Sequence, residues 1–300
     1  MLHIIQKRKY AYWFSGILTT VSLILLFTVG LKFGIDFKGG TRMEVQFSQD
    51  PVPQVSEVKQ SLADLALKSL TIQASDNRRV LLRYLASDAD SNDQVLAKLQ
   101  SLDPNILQLR TDFIGGSVSD QIKKRAIVGI ILSVLGIAAY IAWAFRRVSG
   151  MVGSWEYGMG AVIALLHDII VVIGVFVMLG WRYNTIEIGI PFIAALLTIL
   201  GYSVNDTIVV FDRVRENLLR AGKKEDFEII VNRSINETLG RSINTSLTVI
   251  ITLFAITFFG GESIRYFGLA LLIGVIFGTY SSIYIASALL VTRYKMKMGK

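Results

Sequence analysis

The chain has 300 residues, of which 52% are hydrophobic and 18% are charged, and this composition is too apolar for an ordinary soluble protein. It has no cysteine and only two histidines, which excludes disulfides, thiol chemistry, thiolate metal sites and a histidine-rich metal centre. The net charge of +8 fits nucleic acid or an anionic membrane surface, and the apolar composition favours the membrane.

Six apolar segments are long enough to cross a bilayer as helices, which requires about 20 residues each. In chain order, these predicted spans cover residues 10–31, 126–145, 157–181, 188–211, 242–261 and 266–292. The first span follows a basic lead, as in a signal peptide, but it is too long and lacks a clear small-residue cleavage site. We therefore expect a retained anchor and a polytopic α-helical membrane protein with six transmembrane helices.

Lysine and arginine residues near the span ends predict the orientation of the chain, because these residues collect on the cytoplasmic side. The two short loops predicted to lie outside contain only Arg182 and Arg265, whereas basic residues are frequent at both ends of the chain and between the fourth and fifth spans. One basic group, at 123–125, would lie outside, next to a long segment, and long segments cross the membrane largely regardless of charge. We expect both termini in the cytoplasm.

Residues 35–120 form a soluble domain, because their pattern changes from long apolar runs to alternation and amphipathic periodicity. The strands are predicted at 42–47, 70–74, 79–84 and 106–110, and the helices near 55–67 and 95–102. The turn signal Ser75-Asp76-Asn77 separates the second and third strands. The order β-α-β-β-α-β predicts a ferredoxin-like α+β domain, extracytoplasmic and placed between helices 1 and 2.

Three regions follow from these patterns. Residues 1–34 hold the N-terminal cytoplasmic tip and the first helix, residues 35–120 the extracytoplasmic domain, and residues 121–300 transmembrane helices 2–6. Residues 212–240 are predicted as a cytoplasmic loop with a helical segment that lies along the membrane surface. Two glycine pairs, Gly39-Gly40 and Gly115-Gly116, flank the domain and are either hinges to the membrane helices or simple turns at strand ends.

Asp206 lies inside the fourth predicted span, where a charge costs ~2.5–3.5 kcal/mol on insertion scales. It precedes the predicted cytoplasmic end of the span by about five residues, which is ~8 Å of helix. Thr198, Tyr202 and Asn205 share a helix face with it, as expected of a surface that lines a polar path. Intramembrane carboxylates are functional by default, and the alternative is a carboxylate that caps a helix or pairs with a neighbouring helix for assembly.

A matching polar stripe begins the fifth predicted span, with Arg241, Asn244, Thr245 and Thr248 on one face. Because both stripes are near the cytoplasmic side, Arg241 is a candidate counter-ion for Asp206. An ion pair would lower the pKa of a carboxyl group, whereas desolvation would raise it, so making and breaking the pair could switch a proton carrier. The alternative is that Arg241 only extends its side chain to the interface.

Asp168 lies near the middle of the third predicted span, beside His167, and this pair suggests a proton relay. Adjacent residues point about 100° apart on a helix, so they are not expected to form a site by themselves. Asp168 could instead support Asp206 or bind a helix of another chain. No glycine-rich phosphate loop, Walker pattern or metal-ligand spacing is present, so the protein is not expected to hydrolyse nucleotides.

Four motifs, in matching order and spacing over nearly the whole chain, resemble the SecF side of the SecD/SecF family of bacterial protein-export membrane proteins. They are FGIDFKGGT at 33–41, LHD at 166–168, GYSVNDTIVVFDRVREN at 201–217, and NRSINETL at 232–239 followed by Arg241. The resemblance implies that Asp206 is linked to ion coupling, with Arg241 nearby. Gly34, Asp36, Gly39 and Gly40 would belong to the base of the domain.

The resemblance also implies the function and the partners. The chain would be half of a machine of the resistance-nodulation-division superfamily, in which two six-helix repeats are related by an axis along the membrane normal. With a SecD-like subunit it would assist the SecY translocon in the bacterial inner membrane, using the proton or sodium gradient to pull unfolded polypeptide outward. Lipid is a further expected partner. Nucleic acid, a cofactor and an enzymatic activity are not expected.

The hypothesis is that Asp206 is protonated from outside and deprotonated to the inside, and that each change shifts the fourth and fifth spans and moves the domain. Asn205 and Asp168 are further ion-coupling candidates. Two alternatives remain open. The first is a small-molecule or lipid exporter of the same superfamily, for which a domain of about 80 residues is small. The second is a passive scaffold of the translocon, in which Asp206 serves assembly.

Overall fold

The computed structural model describes residues 2–75, 78–85, 90–146, 152–183, 186–221 and 225–299. The helices are α1 (Arg8–Thr28), α2 (Ile35–Lys38), α3 (Val55–Ser61), α4 (Asp90–Leu102), α5 (Gly116–Ala144), α6 (Ser154–Arg182), α7 (Ile190–Ala221), α8 (Phe227–Phe259), α9 (Glu262–Ser281) and α10 (Ser287–Lys297). The strands are β1 (Gly40–Gln46), β2 (Lys68–Ser75), β3 (Arg79–Leu85) and β4 (Leu107–Ile114). A π-helical turn, Ser282–Ala286, joins α9 to α10.

The chain divides into two compact units. The helical unit consists of Met1–Lys32, Ile127–Ile186 and Pro191–Lys300, and the sheet unit consists of Phe33–Ala126 and Glu187–Ile190. The sheet unit therefore includes the first three residues of the fourth predicted span, 188–190.

Six helices among the described residues are long and apolar enough to cross a membrane, which confirms the number of predicted spans. They are α1, α5, α6, α7, α8, and the continuous run of α9, the π turn and α10. The most buried are α6, α7 and the α9–α10 run. Gly274 and Gly278 let α9 approach α7 closely, because a Cβ at these positions would lie 2.3 Å from Ile199 and 3.0 Å from Ser203. Small residues at such contacts are the usual way in which membrane helices pack.

The predicted cytoplasmic loop at 212–240 is largely helical within its described part. Helix α7 continues to Ala221 and α8 begins at Phe227. The Asp226 carboxylate caps α8 by accepting a hydrogen bond from the Glu228 N–H at 2.8 Å. Phe227 and Ile230 are fully buried. The amphipathic pattern at 212–240 therefore belongs to the ends of two long helices, and periodicity alone does not distinguish these from a surface helix.

The sheet unit contains a four-stranded sheet with the order β2-β3-β1-β4, in which every neighbouring pair is antiparallel. The strands and helices follow in the predicted order, although β4 ends at Ile114, four residues beyond the prediction. Met43 and Val45 point into a core that side chains of α3 and α4 cover, as the period-2 pattern of β1 requires. Asp76 and Asn77 of the predicted turn lie outside the described residues.

Gly40 starts β1 in a conformation that only glycine adopts easily. Its φ is +114°, and a Cβ there would lie 2.5 Å from the Tyr84 carbonyl oxygen. It pairs with Ile114 of β4. Gly40 is therefore part of the sheet, and its lack of a side chain is a packing requirement.

We expect Gly40→Ala to destabilise the sheet unit by about 2 kcal/mol, because it adds both backbone strain and a clash. The measurement is the resistance of the unit to protease in the membrane-embedded whole chain. Gly115→Ala is the matched control, since a Cβ at Gly115 meets nothing within 4 Å. Equal resistance of the two variants would contradict the expectation.

Candidate functional site

Asp206 lies on the buried side of α7 and faces α8. Its side chain is buried, with the residue 6% exposed, and its Oδ1 accepts a hydrogen bond from the Ser242 hydroxyl at 2.5 Å. Its Oδ2 is buried and has no hydrogen-bond partner among the described residues. One hydroxyl donor is too little to compensate a buried carboxylate, so the unpartnered oxygen can take a proton or a small cation.

Hydroxyl side chains continue from Asp206 along the interior of the helical unit. The Tyr202 hydroxyl of α7 donates to Ser246 of α8 at 3.1 Å, and Ser246 shares a hydrogen bond with Thr279 of α9 at 2.5 Å. Thr207 shares another with Ser282 at 2.8 Å. These groups both donate and accept, so α7, α8 and the sixth span are joined by hydrogen bonds that can reorient.

Asp168 of α6 is fully buried and has three hydrogen-bond partners. Its Oδ2 accepts from the hydroxyls of Ser203 in α7 and Ser281 in α9, both at 2.7 Å. Its Oδ1 lies 3.0 Å from His167 Nδ1. The carboxylate thus joins three helices, and it is far better satisfied than that of Asp206.

His167 and Asp168 contact each other, although adjacent helical residues point about 100° apart. The Cα–Cβ bonds of adjacent helical residues diverge, but both side chains have rotatable bonds, and the imidazole turns back to the carboxylate. His167 is also buried, and its Nε2 has no hydrogen-bond partner among the described residues.

Arg241 does not meet Asp206 in this structure, and no ion pair of Arg241 is found within the described residues. The residue is exposed, and its neighbour Ser242 takes the inward position against Asp206. Because one residue along a helix turns the side chain by about 100°, both cannot face α7. The predicted Arg241–Asp206 pair is therefore absent, and a role of Arg241 in ion coupling stays a prediction.

We call the exposed polar side chains of α7 and α8 the polar face, and both helices are apolar enough to span a membrane. The members of this polar face are Thr198, Asn205, Arg241, Asn244, Thr245 and Thr248. The polar residues predicted to share one face of α8 are all exposed. Those predicted to share one face of α7 are divided, because Asn205 is exposed whereas Asp206 is buried. Polar groups in hydrocarbon are costly, so this polar face is suited to contact another protein.

The motif residues of the predicted domain base all lie in the sheet unit. The Gly34 N–H donates to the Ile188 carbonyl oxygen at 2.9 Å, and Asp36 Oδ2 accepts from the Ile190 N–H at 2.8 Å. Gly39 and Gly40 have positive φ values of 76° and 114° at the start of β1. Within the described ranges, no group of three or more His, Cys, Asp or Glu side chains could hold a metal ion.

The hydroxyl partners of the two carboxylates are not among the residues that the sequence patterns predict. Ser242 and Ser246 are four residues apart on α8 and contact the interior of the unit. That spacing is a signal that could have been used, because residues at i and i+4 share a helix face. It was obscured by the more conspicuous stripe that starts at Arg241.

The chain matches two family descriptions, "Protein export membrane protein SecD/SecF, C-terminal" over residues 94–296 and "SecD/SecF GG Motif" over residues 24–51. It is 44% identical to the protein translocase subunit SecF of Thermobaculum terrenum, covering 97% of this chain and 94% of that relative. It is 36% identical to the subunit of the same name from Haemophilus influenzae, covering 95% of this chain and 83% of that relative.

Two solved structures have the same fold over almost the whole chain. The crystal structure of SecDF from Thermus thermophilus, a translocon-associated membrane protein, has a TM-score of 0.82 and 32% identity over 96% of this chain. SecDF in a super-membrane-facing form has a TM-score of 0.69 over 99% of this chain. The chain spans only 38% and 39% of those two proteins. By its family matches and its relatives, the chain belongs to the SecD/SecF family of protein-export membrane proteins, among the SecF subunits.

Proposed function

We propose that the chain is the SecF-like subunit of a protein-export machine and that it couples an ion gradient to late steps of polypeptide translocation. It acts with a SecD-like partner and is not an enzyme. Family membership supports the export role. The observation that carries the coupling role is the buried Asp206 carboxylate, with one oxygen bonded to Ser242 and the other unpartnered.

Protonation is the simplest use of this site. A proton on Oδ2 removes the charge and gives the carboxyl group a hydrogen-bond donor of its own. The hydrogen bonds that α7 and α8 can form with each other therefore change. Moving one charge through 100 mV supplies ~2.3 kcal/mol, whereas a typical hydrogen bond contributes about 1 kcal/mol net. One or a few protons therefore suffice to rearrange the hydroxyl contacts between these helices. A sodium ion would be held by the same carboxylate and hydroxyl oxygens.

We further propose the placement of the chain in the bacterial inner membrane, with both termini in the cytoplasm and the sheet unit outside. The support is the small number of basic residues in the two predicted outside loops, Arg182 and Arg265 alone. The sheet unit, with element order β-α-β-β-α-β and strand order β2-β3-β1-β4, is then a ferredoxin-like extracytoplasmic domain. It moves with the helices and acts on the exported chain.

The polar face of α7 and α8 is the proposed contact with the SecD-like partner. Its exposed Arg241 and Asn205 require polar groups from a neighbour when the surroundings are lipid. We propose that Arg241 and Asn205 take part in ion coupling through this contact. Arg241 is the cation that faces the partner. SecY, unfolded polypeptide and lipid are further proposed partners of the assembly.

The proposed role of Asp168 is to support Asp206 by holding α6, α7 and α9 together.

We expect a photo-crosslinking amino acid at Asn244 or Thr248 to form a covalent product with the SecD-like partner in native membranes. The same amino acid at Leu132, exposed on the apolar helix α5, is the control and should react with lipid instead. Immunoblotting for both subunits distinguishes the products. A partner crosslink at 132 without one at 244 or 248 would place the interface elsewhere.

Purification of the complex tests the function against the scaffold alternative. The Asp206→Asn chain is isolated with its partner from cells, and gradient-dependent export is measured in parallel. An intact complex without gradient-dependent export supports coupling. Loss of the partner supports a scaffold, and normal export contradicts the coupling role. The exporter alternative is favoured only if the variant accumulates small molecules or lipids while polypeptide export is normal.

A further inference from the structure

The first residues before and in helix α7 belong to the sheet unit. Residues Glu187–Ile190 group with Phe33–Ala126, although 60 residues of sequence, 127–186, lie between them. Ile190 is also the first residue of α7. The helix that carries Asp206 therefore has its first residue in the sheet unit, and this short segment makes its contacts within that unit.

The backbone makes the first contact. Phe33 and Ile188 form a parallel β-bridge, and the Gly34 N–H donates to the Ile188 carbonyl oxygen at 2.9 Å. A Cβ at Gly34 would be in contact with both Glu187 Oε2 and the Ile188 carbonyl oxygen, each at 3.4 Å. The segment is thus paired with the chain that leads into the sheet.

An ion pair makes the second contact. Arg83 Nη1 lies 3.0 Å from Glu187 Oε1, and the two side chains are only 12% and 18% exposed. Arg83 lies in the inner strand β3, where it is paired with Arg42 of β1 on one side and with Thr71 of β2 on the other. An ion pair with this little exposure is screened less by water than a surface pair. It ties the segment to the middle of the sheet.

A helix cap makes the third contact. The first N–H groups of a helix have no partner within the helix, and a side chain at the N-cap position usually accepts from them. The residue before α7 is Gly189, which has no side chain, and the acceptor is supplied from 154 positions away by Asp36 Oδ2, 2.8 Å from the Ile190 N–H. The carboxylate also interacts favourably with the positive end of the helix dipole.

We propose that Asp36 and the Arg83–Glu187 pair are positioning residues for ion coupling, which attach the sheet unit to the helix that carries Asp206 and keep it attached throughout the cycle. The proposal rests on the proposed function. Ile190 and Asp206 are separated by 16 residues of one continuous helix, about 24 Å along its axis. A displacement of α7 at Asp206 is therefore passed to the sheet unit through the capped start of the helix. A displacement of the sheet unit is likewise passed to Asp206.

The test uses the whole complex, with partner and translocon, in proteoliposomes, and measures the ratio of export with an ion gradient to export without it. We expect Asp36→Ala to reduce this ratio about fivefold, since loss of a helix cap shifts an equilibrium by about that factor. Asp36→Asn keeps an acceptor oxygen and should retain most of the ratio. Amide hydrogen exchange at Ile190 reports the cap directly and should be faster in Asp36→Ala.

Charge exchange separates positioning from a general loss of stability. Arg83→Glu and Glu187→Arg should each lower the ratio, and the double variant should restore it. Asp64→Ala is the matched control, because Asp64 forms an exposed ion pair with Lys98 in the same unit, and its ratio should not change. The proposal is overturned if Asp36→Ala keeps the full ratio while Ile190 exchanges faster, or if the double variant stays as low as the single ones.

A disulfide tests whether the attachment stays closed. The chain has no cysteine, so Phe33→Cys and Ile188→Cys introduce the only pair, and bridged strand positions are close enough for a disulfide. We expect oxidation to leave the ratio unchanged. A loss on oxidation that a reductant reverses would show that the attachment must open, which contradicts the proposal.

Asp206→Asn is measured alongside these variants. If it keeps gradient stimulation, the proposed function itself fails. If it loses stimulation while Asp36→Ala does not, only the positioning role fails.

Discussion

Asp206→Asn is expected to remove the gradient-stimulated part of export and to leave the complex with the SecD-like partner assembled. Asparagine has nearly the same shape and can still accept the hydrogen bond from Ser242, but it cannot bind and release a proton. One charge crossing 100 mV is worth ~2.3 kcal/mol, a factor of ~50 in an equilibrium, so we expect a loss of at least about tenfold. The measurement is export into vesicles with and without the gradient.

The controls for this result come from the same helix and its neighbour. Asp212 is an exposed aspartate of α7 that pairs with Arg215 at 3.4 Å, and Asp212→Asn should export normally. Ser242→Ala removes the one donor of the Asp206 carboxylate and should change the pH dependence of stimulation rather than abolish it. Varying sodium at a fixed proton gradient then separates the two ions. Full stimulation in Asp206→Asn would contradict ion coupling at this residue.

The two buried aspartates of the helical unit were predictable from the sequence, because a carboxylate inside an apolar span is conspicuous on grounds of cost alone. Their partners were not. Arg241 and Ser242 are adjacent, and the periodic stripe favoured the arginine, yet the serine faces Asp206. When both faces of a helix carry polar residues, periodicity does not decide which face is inside. The neighbouring helices decide it, and their arrangement is a property of the folded chain.

The elements of the fold were predictable to a similar extent. Long apolar runs located the six spans, and alternation located the four strands, because both patterns arise from local geometry. The end of α7 is predicted too early, at 211, and the start of α8 too late, at 242, since amphipathic residues continue both helices beyond the apolar part. The pairing of Glu187 with Arg83 and the cap from Asp36 to Ile190 join residues more than 100 positions apart, and no local pattern reports such contacts.

Asp168→Ala is expected to destabilise the helical unit by about 3 kcal/mol, because it leaves buried donors without their acceptor. The hydroxyls of Ser203 and Ser281 and the ring of His167 all lose a partner, although Ser281 retains a hydrogen bond to the Gly278 carbonyl oxygen. Asp168→Asn keeps one acceptor oxygen and should cost less. The measurement is the thermal unfolding of the purified complex in detergent, with the exposed Asp212→Ala as control.

The Asp168 variants also separate the roles of the two aspartates. A carboxylate with three partners on three helices serves to hold those helices, whereas one with a free oxygen can exchange an ion. Asp168→Asn should therefore keep gradient stimulation wherever the protein is folded, in contrast to Asp206→Asn. If a stable Asp168→Asn complex loses stimulation instead, the ion path includes Asp168, and His167, with its unpartnered Nε2, becomes the next group to substitute.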